Sequence, residues 1–575
     1  MNQMTQLSAL SPSRAKIRAL AVAVIALLLA ALLPGAAAQA KPQDRGPQGA
    51  CDVRDNNTYK KLLNCLTAEG MLEHLAALQD IADDNENPFY PGTRAAGTDG
   101  YDGSVDYVAG LLEDAGWNVT LDPVEATFVF PAILRQLTPV EAEYETGVFT
   151  GSGDGDVEGN VIPVDLALDD PAASTSGCEA SDFDGLDFSG ENDIALIQRG
   201  ACFFSVKAVN AEAAGAEAVV IFNQGNTPDR EGLVLGTAAN LPDGSPSNIG
   251  IPVVGASFAD GIALSAEGST AFVSVPPSET ITTYNVIAEL PGENTDNVVM
   301  AGAHLDSVVQ GPGIQDNGSG SAALLELALL LANTELENTL RFGWWAAEEQ
   351  GLVGSTEYVS ELSQDELDRI AAYLNFDMIA SPNFFYGVYD ADESGFPAPE
   401  GVPIPEGSEA LEDLFEQYYT WRGLPYEDSE FSGRSDYQAF INNGIPASGL
   451  FTGAEVVKTE EQEAIWEGVA GEQFDPCYHE ACDNLYDDDP GRDADVYAEL
   501  DAENDLVGNV SLEALGVNGD AVAFAVLTLA YSTEDVNGVP GEMVPGSPSL
   551  KLPTEFDGPQ GTVGSDGGGV SHGDS

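Results

Sequence analysis

Three apolar runs, each stopping at a charged side chain, set the terms for the rest of this sequence. VVMAGAH ends at His304, with Asp306 two residues on; FGWWAA leads to Glu348 and Glu349; AAYLNF leads to Asp377. Short apolar runs of this kind, bounded by turn residues, read as buried strands. Helical patterns lie between them, SGSAALLELALLLANT and LVGSTEYVSEL. Apolar strands alternating with helices imply an α/β sheet covered on both faces. Open sheets of that class bind ligands outside the carboxyl ends of their strands. The expectation is one edge carrying His304, Asp306, Glu348, Glu349 and Asp377, joined by Asp316 from the Gly-rich turn DNGSG just ahead of a helix.

Imidazoles and carboxylates meeting at one edge point to metal chemistry. Hydrolysing an amide near neutral pH needs an activated water and a Lewis acid on the carbonyl. Two divalent metals about 3.5–4 Å apart supply both, with one carboxylate shared between them. The histidines narrow the choice. The chain has four, His74, His304, His479 and His572. His74 falls on a predicted helix and His572 in the terminal tail, which leaves His304 and His479, one for each metal. His479 lies between the cysteines of CYHEAC, where a disulfide would hold its loop rigid.

Each piece alone has a plainer reading. An HxD pair is commonly a structural hydrogen bond, and EE a solvated face. DNGSG can be a turn with a helix cap at Asn317 or Ser319. Arg434 in FSGRSD can be a surface ion pair, and Cys477–Cys482 a simple clasp. Their joint occurrence at strand ends of one domain carries the metal reading.

At 575 residues the chain has room for two folded domains plus unfolded ends. Residues 1–40 read as a secretory signal: Arg14, Lys16 and Arg18, then an apolar run from Ala19 to Leu33, then small residues through Ala40. An uncleaved anchor is the alternative, but the run is short for spanning, and no other stretch is long and apolar enough to cross a bilayer. Residues 41–136 read as the helical N-terminal part of the main domain. Residues 137–280 change to short β-like runs around one helix, SVKAVNAEAAGAEA, and read as an inserted β-rich domain. Residues 281–532 hold the strand–helix alternation, and 533–575 read as a disordered low-complexity tail. Six cysteines in an exported chain fall into local pairs that suggest Cys51–Cys65, Cys178–Cys202 and Cys477–Cys482, although sequence alone does not fix the connectivity.

Ninety-five acidic residues stand against twenty basic ones, a formal net charge of −75. Such a surface repels nucleic acid and anionic membranes. It reads as the solvated shell a salt-loving host uses; recruitment of cationic substrates is the weaker alternative.

AHLDS, DNGSGSA, WWAAEEQGLVGS, NFDMI and CYHEACD resemble the motif set of the secreted di-zinc aminopeptidases, the family of vacuolar aminopeptidase Y and the bacterial leucyl-type enzymes, over about residues 60–532. QRGACFFSVKAVNAEAAGAEAVVIFNQ resembles the protease-associated domain inserted in many members. The resemblance implies two Zn2+ per chain. Asp316 bridges them, His304 and Asp377 complete one metal, and Glu349 and His479 complete the other. It further implies Glu348 as general base, Asp306 as the group orienting His304 through its other nitrogen, and Tyr478 as the oxyanion donor. Arg434 is implied as a substrate contact. Some relatives hold calcium, but no acidic group here identifies such a site. The expected protein is a monomeric exopeptidase acting on peptides or proteins, with no nucleic-acid partner and no membrane contact once the signal is cleaved. A carboxypeptidase or one-metal cyclase of the same fold, or a non-catalytic receptor-like relative, are the rivals.

Overall fold

The computed structural model describes residues 51–547 apart from 52, 243 and 400. The expected signal segment and the end of the expected tail lie outside the described residues. Eight strands form the main sheet: β1 (Asn118–Phe128), β2 (Glu279–Leu290), β3 (Asn294–His304), β4 (Asn338–Trp345), β5 (Ile370–Phe376), β6 (Gly387–Tyr389), β7 (Glu427–Ser429) and β8 (Ala447–Phe451). Their spatial order is β1-β2-β4-β3-β5-β8-β6-β7. The centre is parallel, with β3 pairing β4 on one side and β5 on the other, and β5 pairing β8. Outside that centre the pairing turns antiparallel, β1 with β2, β2 with β4, and β8 with β6, and the edge strand β7 pairs parallel with β6.

Every residue of β4 and β5 is buried, as a central strand covered on both faces requires. Neighbouring tryptophans show the two faces. Trp344 donates its indole N–H to the Ser321 carbonyl in α3 (Gly318–Leu331), while Trp345 donates to the Tyr373 hydroxyl on the opposite side. The α3 layer also holds α1 (Ala68–Asp84) and α2 (Asp99–Ala115). Thr67 and Thr98 start these two helices by accepting from the backbone N–H of Gly70 and Tyr101. The other layer holds α4 (Val353–Glu361) and the short α6 (Tyr437–Ile441), packed on Trp345, Tyr373 and Met300. Between them in sequence, α5 (Ser408–Arg422) lies against β8 and against the last long helix, α7 (Leu512–Tyr531).

One expectation changes at α7. It is long and apolar enough, by length and composition, to cross a bilayer, which the sequence reading denied of every stretch beyond the signal. In the fold it is a core element, 72% buried, against α1, α3 and α5. The chain also continues in order past the expected start of the tail. Glu534–Asn537 forms a helical turn, Val544 is buried, and Asn297 bonds both Thr533 and Asn537. Those side-chain bonds anchor a Gly/Pro-rich stretch whose composition alone suggested disorder.

The inserted domain is a seven-stranded mixed sheet. It runs in the order Ala142–Tyr144, Ile133–Thr138, Thr270–Val275, Gly155–Val164, Ile194–Gln198, Ala218–Phe222, Val253–Ala256. It begins slightly ahead of residue 137, because Ile133–Thr138 pairs with Thr270–Val275. Cys178–Cys202 closes beside its helix Phe204–Ala214, and no described cysteine is free.

Candidate metal centre

The register of the parallel strands brings the site together. His304 lies opposite Trp345 at the end of β4, and Gly302 opposite Asn375 near the end of β5. The three chain reversals after β3, β4 and β5 therefore leave one edge of the sheet. A fourth element joins them through a close contact. A Cβ at Gly320 would lie 2.3 Å from the Phe376 carbonyl oxygen, so only glycine lets the first turn of α3 press against the end of β5. Asn317 fixes that contact by capping Gly320 N–H and donating to the Phe376 carbonyl. Asp316 is thereby carried to the side of Asp377.

Asp316 sits between two clusters. Its Oδ1 is 3.2 Å from His304 Nε2, and its Oδ2 is 3.4 Å from His479 Nε2. His304 Nε2 is also 3.3 Å from Asp377 Oδ1 and 3.9 Å from Glu348 Oε2. His479 Nε2 is 3.2 Å from Glu349 Oε2. All six of these residues thus meet, in two groups that share one carboxylate. His74 is engaged elsewhere, with Tyr107 and Glu326.

Three backbone positions at the site are left-handed in residues other than glycine: Ala347 at φ 53°, Met378 at φ 53° and His479 at φ 59°. Each costs about 1–3 kcal/mol and is held by its surroundings. Ala347 launches the 3-10 turn Glu348–Gln350, so the two glutamates leave from a turn beyond β4 rather than from the strand end itself. Asp306 holds that turn. Its carboxylate accepts the backbone N–H of Glu348 at 3.0 Å and of Glu349 at 3.3 Å. The group nearest His304 Nδ1 is the Asp306 main-chain carbonyl, at 3.1 Å, with the carboxylate at 3.8 Å. Imidazole orientation thus falls to the backbone of Asp306, and the side chain serves the glutamate turn, a division the sequence reading did not make.

The electrostatics fit a cation. Burial works to neutralise these acids, and pushes Glu349 up to about 7, with Asp316 adding to the effect. Burial likewise raises Glu348 well above the glutamate range, helped by Glu349, Asp436 and Asp377. Burial acts on Asp316 in the same sense, yet the two imidazoles hold it below the usual carboxylate range. His479 rises to about 10 against its own desolvation, driven by Asp316 and Glu349. Asp377 Oδ1 and Glu349 Oε1 are buried with no hydrogen-bond partner. Buried carboxylate oxygens of that kind are costly unless paired or ligating. Two imidazoles with oxygen donors form the set that suits zinc-like divalent ions.

Tyr478 and Arg434 stand at the rim. The Tyr478 ring stacks on His479 with centroids 3.8 Å apart. Its hydroxyl accepts from Arg434 Nη2 at 3.1 Å, and Arg434 Nη1 donates to Glu455 at 2.7 Å.

Three supporting groups escaped the sequence reading. Arg94, wholly buried in what read as a plain turn-rich loop, donates to the carbonyls of Leu305, Pro312 and Gly313, spanning the segment between His304 and Asp316. Asp483 accepts the N–H of Gln315 at 2.8 Å and of Asp316 at 3.0 Å. Ser435 donates to Asp377 Oδ2 at 2.6 Å. Asp483 and Ser435 each sat inside a quoted motif, CYHEACD and FSGRSD; nothing in the sequence marked Arg94.

An open α/β sheet that gathers two imidazoles around a shared aspartate at its strand ends is the frame of a metal-dependent hydrolase. The comparisons place it more narrowly. Residues 285–500 match the model of peptidase family M28, and residues 157–264 match that of the PA domain. An aminopeptidase of Pseudomonas aeruginosa is 45% identical over 486 residues, 83% of this chain and 83% of the relative. A probable lipoprotein aminopeptidase of Mycobacterium tuberculosis is 38% identical over 533 residues, 90% of this chain and 96% of the relative. A zinc aminopeptidase from Bacillus subtilis shares the fold, with a TM-score of 0.54 and 24% identity over 80% of this chain and 94% of that one. The chain belongs to peptidase family M28, with a PA domain inserted in it, and the relatives it matches over most of its length are aminopeptidases.

Proposed function

We propose that this M28 peptidase is exported and releases single residues from the free amino termini of peptides, using two zinc ions. The observation that carries the reading is the division of Asp316: one oxygen faces His304 and the other faces His479. On this reading Asp316 would be shared between the two ions, His304 and Asp377 would hold one, and Glu349 and His479 would hold the other. Zinc bound there would supply Lewis acidity toward a carbonyl and acidify water. Glu348 is the carboxylate left over, buried and at the edge of the His304 group. It takes a proton from the attacking water and returns it to the leaving amine. The Tyr478 hydroxyl accepts from Arg434, so its own proton is left to donate to the developing oxyanion. Asp377 and Glu348 give the substrate ammonium a negative partner, which a blocked amino terminus forgoes. Export fits the cysteine pairing.

A panel of leucyl amides and their N-acetylated forms, with zinc measured by elemental analysis, tests this. Free-amine substrates are cleaved, acetylated ones are not, zinc is two per chain, and exhaustive chelation abolishes turnover until zinc returns. Equal cleavage of the acetylated forms, or full activity after chelation, overturns the reading.

A further inference from the structure

A cavity of about 280 Å³ opens beside the metal centre, on one side of it. Glu349 and His479 form its inner edge, whereas neither Asp377 nor Glu348 lines it. Ala95 and Ala96, ahead of α2, and Val308 and Val309, in the loop after β3, give it an apolar part, and Asp306, Ser307, Gln310 and Gln350 complete the lining. The alanines form a fixed floor at 3% and 5% exposure, and Val309, 42% exposed, forms the lip. No lysine or arginine lines the space.

We propose that this cavity takes the side chain of the substrate's second residue, on the leaving side of the scissile bond, and selects an apolar side chain over an acidic one. The proposal rests on the amino-terminal reading above. With the ammonium at the Asp377 and Glu348 end, the peptide crosses Asp316 toward Glu349 and His479, where the cavity lies. Its volume falls just below the range of about 300–1,000 Å³ typical of small-molecule pockets, which suits one side chain and not an extended segment. Each methylene accepted by apolar walls is worth roughly tenfold or more in kcat/KM. A carboxylate entering the same space loses hydration and meets no lysine or arginine in the lining, with Glu349 at its edge.

Leucinamide carries no second residue and serves as the reference for Leu-Gly, Leu-Leu, Leu-Phe and Leu-Glu, all at one salt concentration. Relative to leucinamide, Leu-Leu and Leu-Phe exceed Leu-Gly by about tenfold or more, and Leu-Glu falls below it. Val309→Lys lowers the Leu-Leu to Leu-Glu ratio by at least about tenfold, and Val309→Trp lowers the Leu-Phe to Leu-Gly ratio by a similar factor. Turnover of leucinamide with dipeptide ratios that ignore the second residue, or that neither substitution changes, overturns the assignment while leaving the aminopeptidase reading intact. Failure to cleave leucinamide and every dipeptide sinks that reading, and the cavity's role with it.

Discussion

Glu348 and Glu349 are adjacent, share the Asp306 carboxylate through their backbone N–H groups, and face different imidazoles. Their side chains therefore separate two functions that one substitution each can test. Glu349→Gln removes a proposed ligand, so zinc content falls by about one ion per chain. Glu348→Gln leaves every proposed ligand in place, so zinc content holds while kcat falls by about 10²–10⁴. Loss of zinc from both variants alike would contradict the assignment of roles. Tyr478→Phe tests a third role. It keeps the ring on His479 and removes only the hydroxyl, so kcat drops by about 10²-fold with KM little changed. A parallel rise in KM would instead make Tyr478 a binding group. None of these side chains depends on a long-range contact to be recognised, which is why their types and spacing were legible in the linear chain.

At the scale of elements, the strand–helix alternation at the centre of the sheet was equally legible, because β3, β4 and β5 are apolar runs that each lead to a charged group. What the sequence hid is how loops hold one another. Asp483 follows His479 by four residues, directly after the loop closed by Cys477–Cys482, and reaches across to the backbone of Gln315 and Asp316. It couples the two loops that bring His479 and the shared carboxylate together. Asn509 donates to the same Asp483 carboxylate and to Asp475, so the bridge is itself held on its far side. These are tertiary hydrogen bonds with no periodicity, and a burial or spacing argument cannot find them. Left-handed backbone at Ala347 and Met378 is hidden for a related reason, since neither residue type favours it. Asp483→Asn retains volume but presents an amide where a backbone N–H needs an acceptor. Zinc affinity then weakens by about 10–100-fold, read as chelator-competition binding, and excess zinc restores most of kcat. Unaltered zinc affinity in Asp483→Asn would show that the Asp316 backbone is held without it.

At the scale of the whole molecule, charge is the least ordinary property, and two parts of it can be told apart. The surface share of the −75 net charge is spread over exposed acids and is screened as the Debye length shrinks from about 10 Å at 0.1 M salt to about 3 Å at 1 M. The melting temperature therefore rises with potassium chloride over that range. A second share is buried and is screened much less. Glu412, 4% exposed, accepts the N–H of Ala391 and Asp392 in a cluster with Asp390, Glu416 and Asp428. Burial pushes Glu412 up to about 8 and Glu416 to about 7. Because the folded-state values lie above the unfolded one near 4.5, the folded protein keeps protons that the unfolded chain gives up. Their stabilising contribution is complete below about pH 4.5 and is lost as pH climbs through 7 and 8. Glu412→Gln keeps an acceptor for the two N–H groups and removes the titration. The variant's melting temperature, taken as a difference from the parent, therefore rises by several degrees between pH 5 and pH 8, and does so at 1 M salt as well as at 0.1 M. Taking the difference at each pH cancels protonation of the metal-site histidines, which both proteins share. A difference constant across that window would mean Glu412 ionises in the folded state as it does in the unfolded chain, and a pH trend abolished by salt would assign the effect to the surface instead.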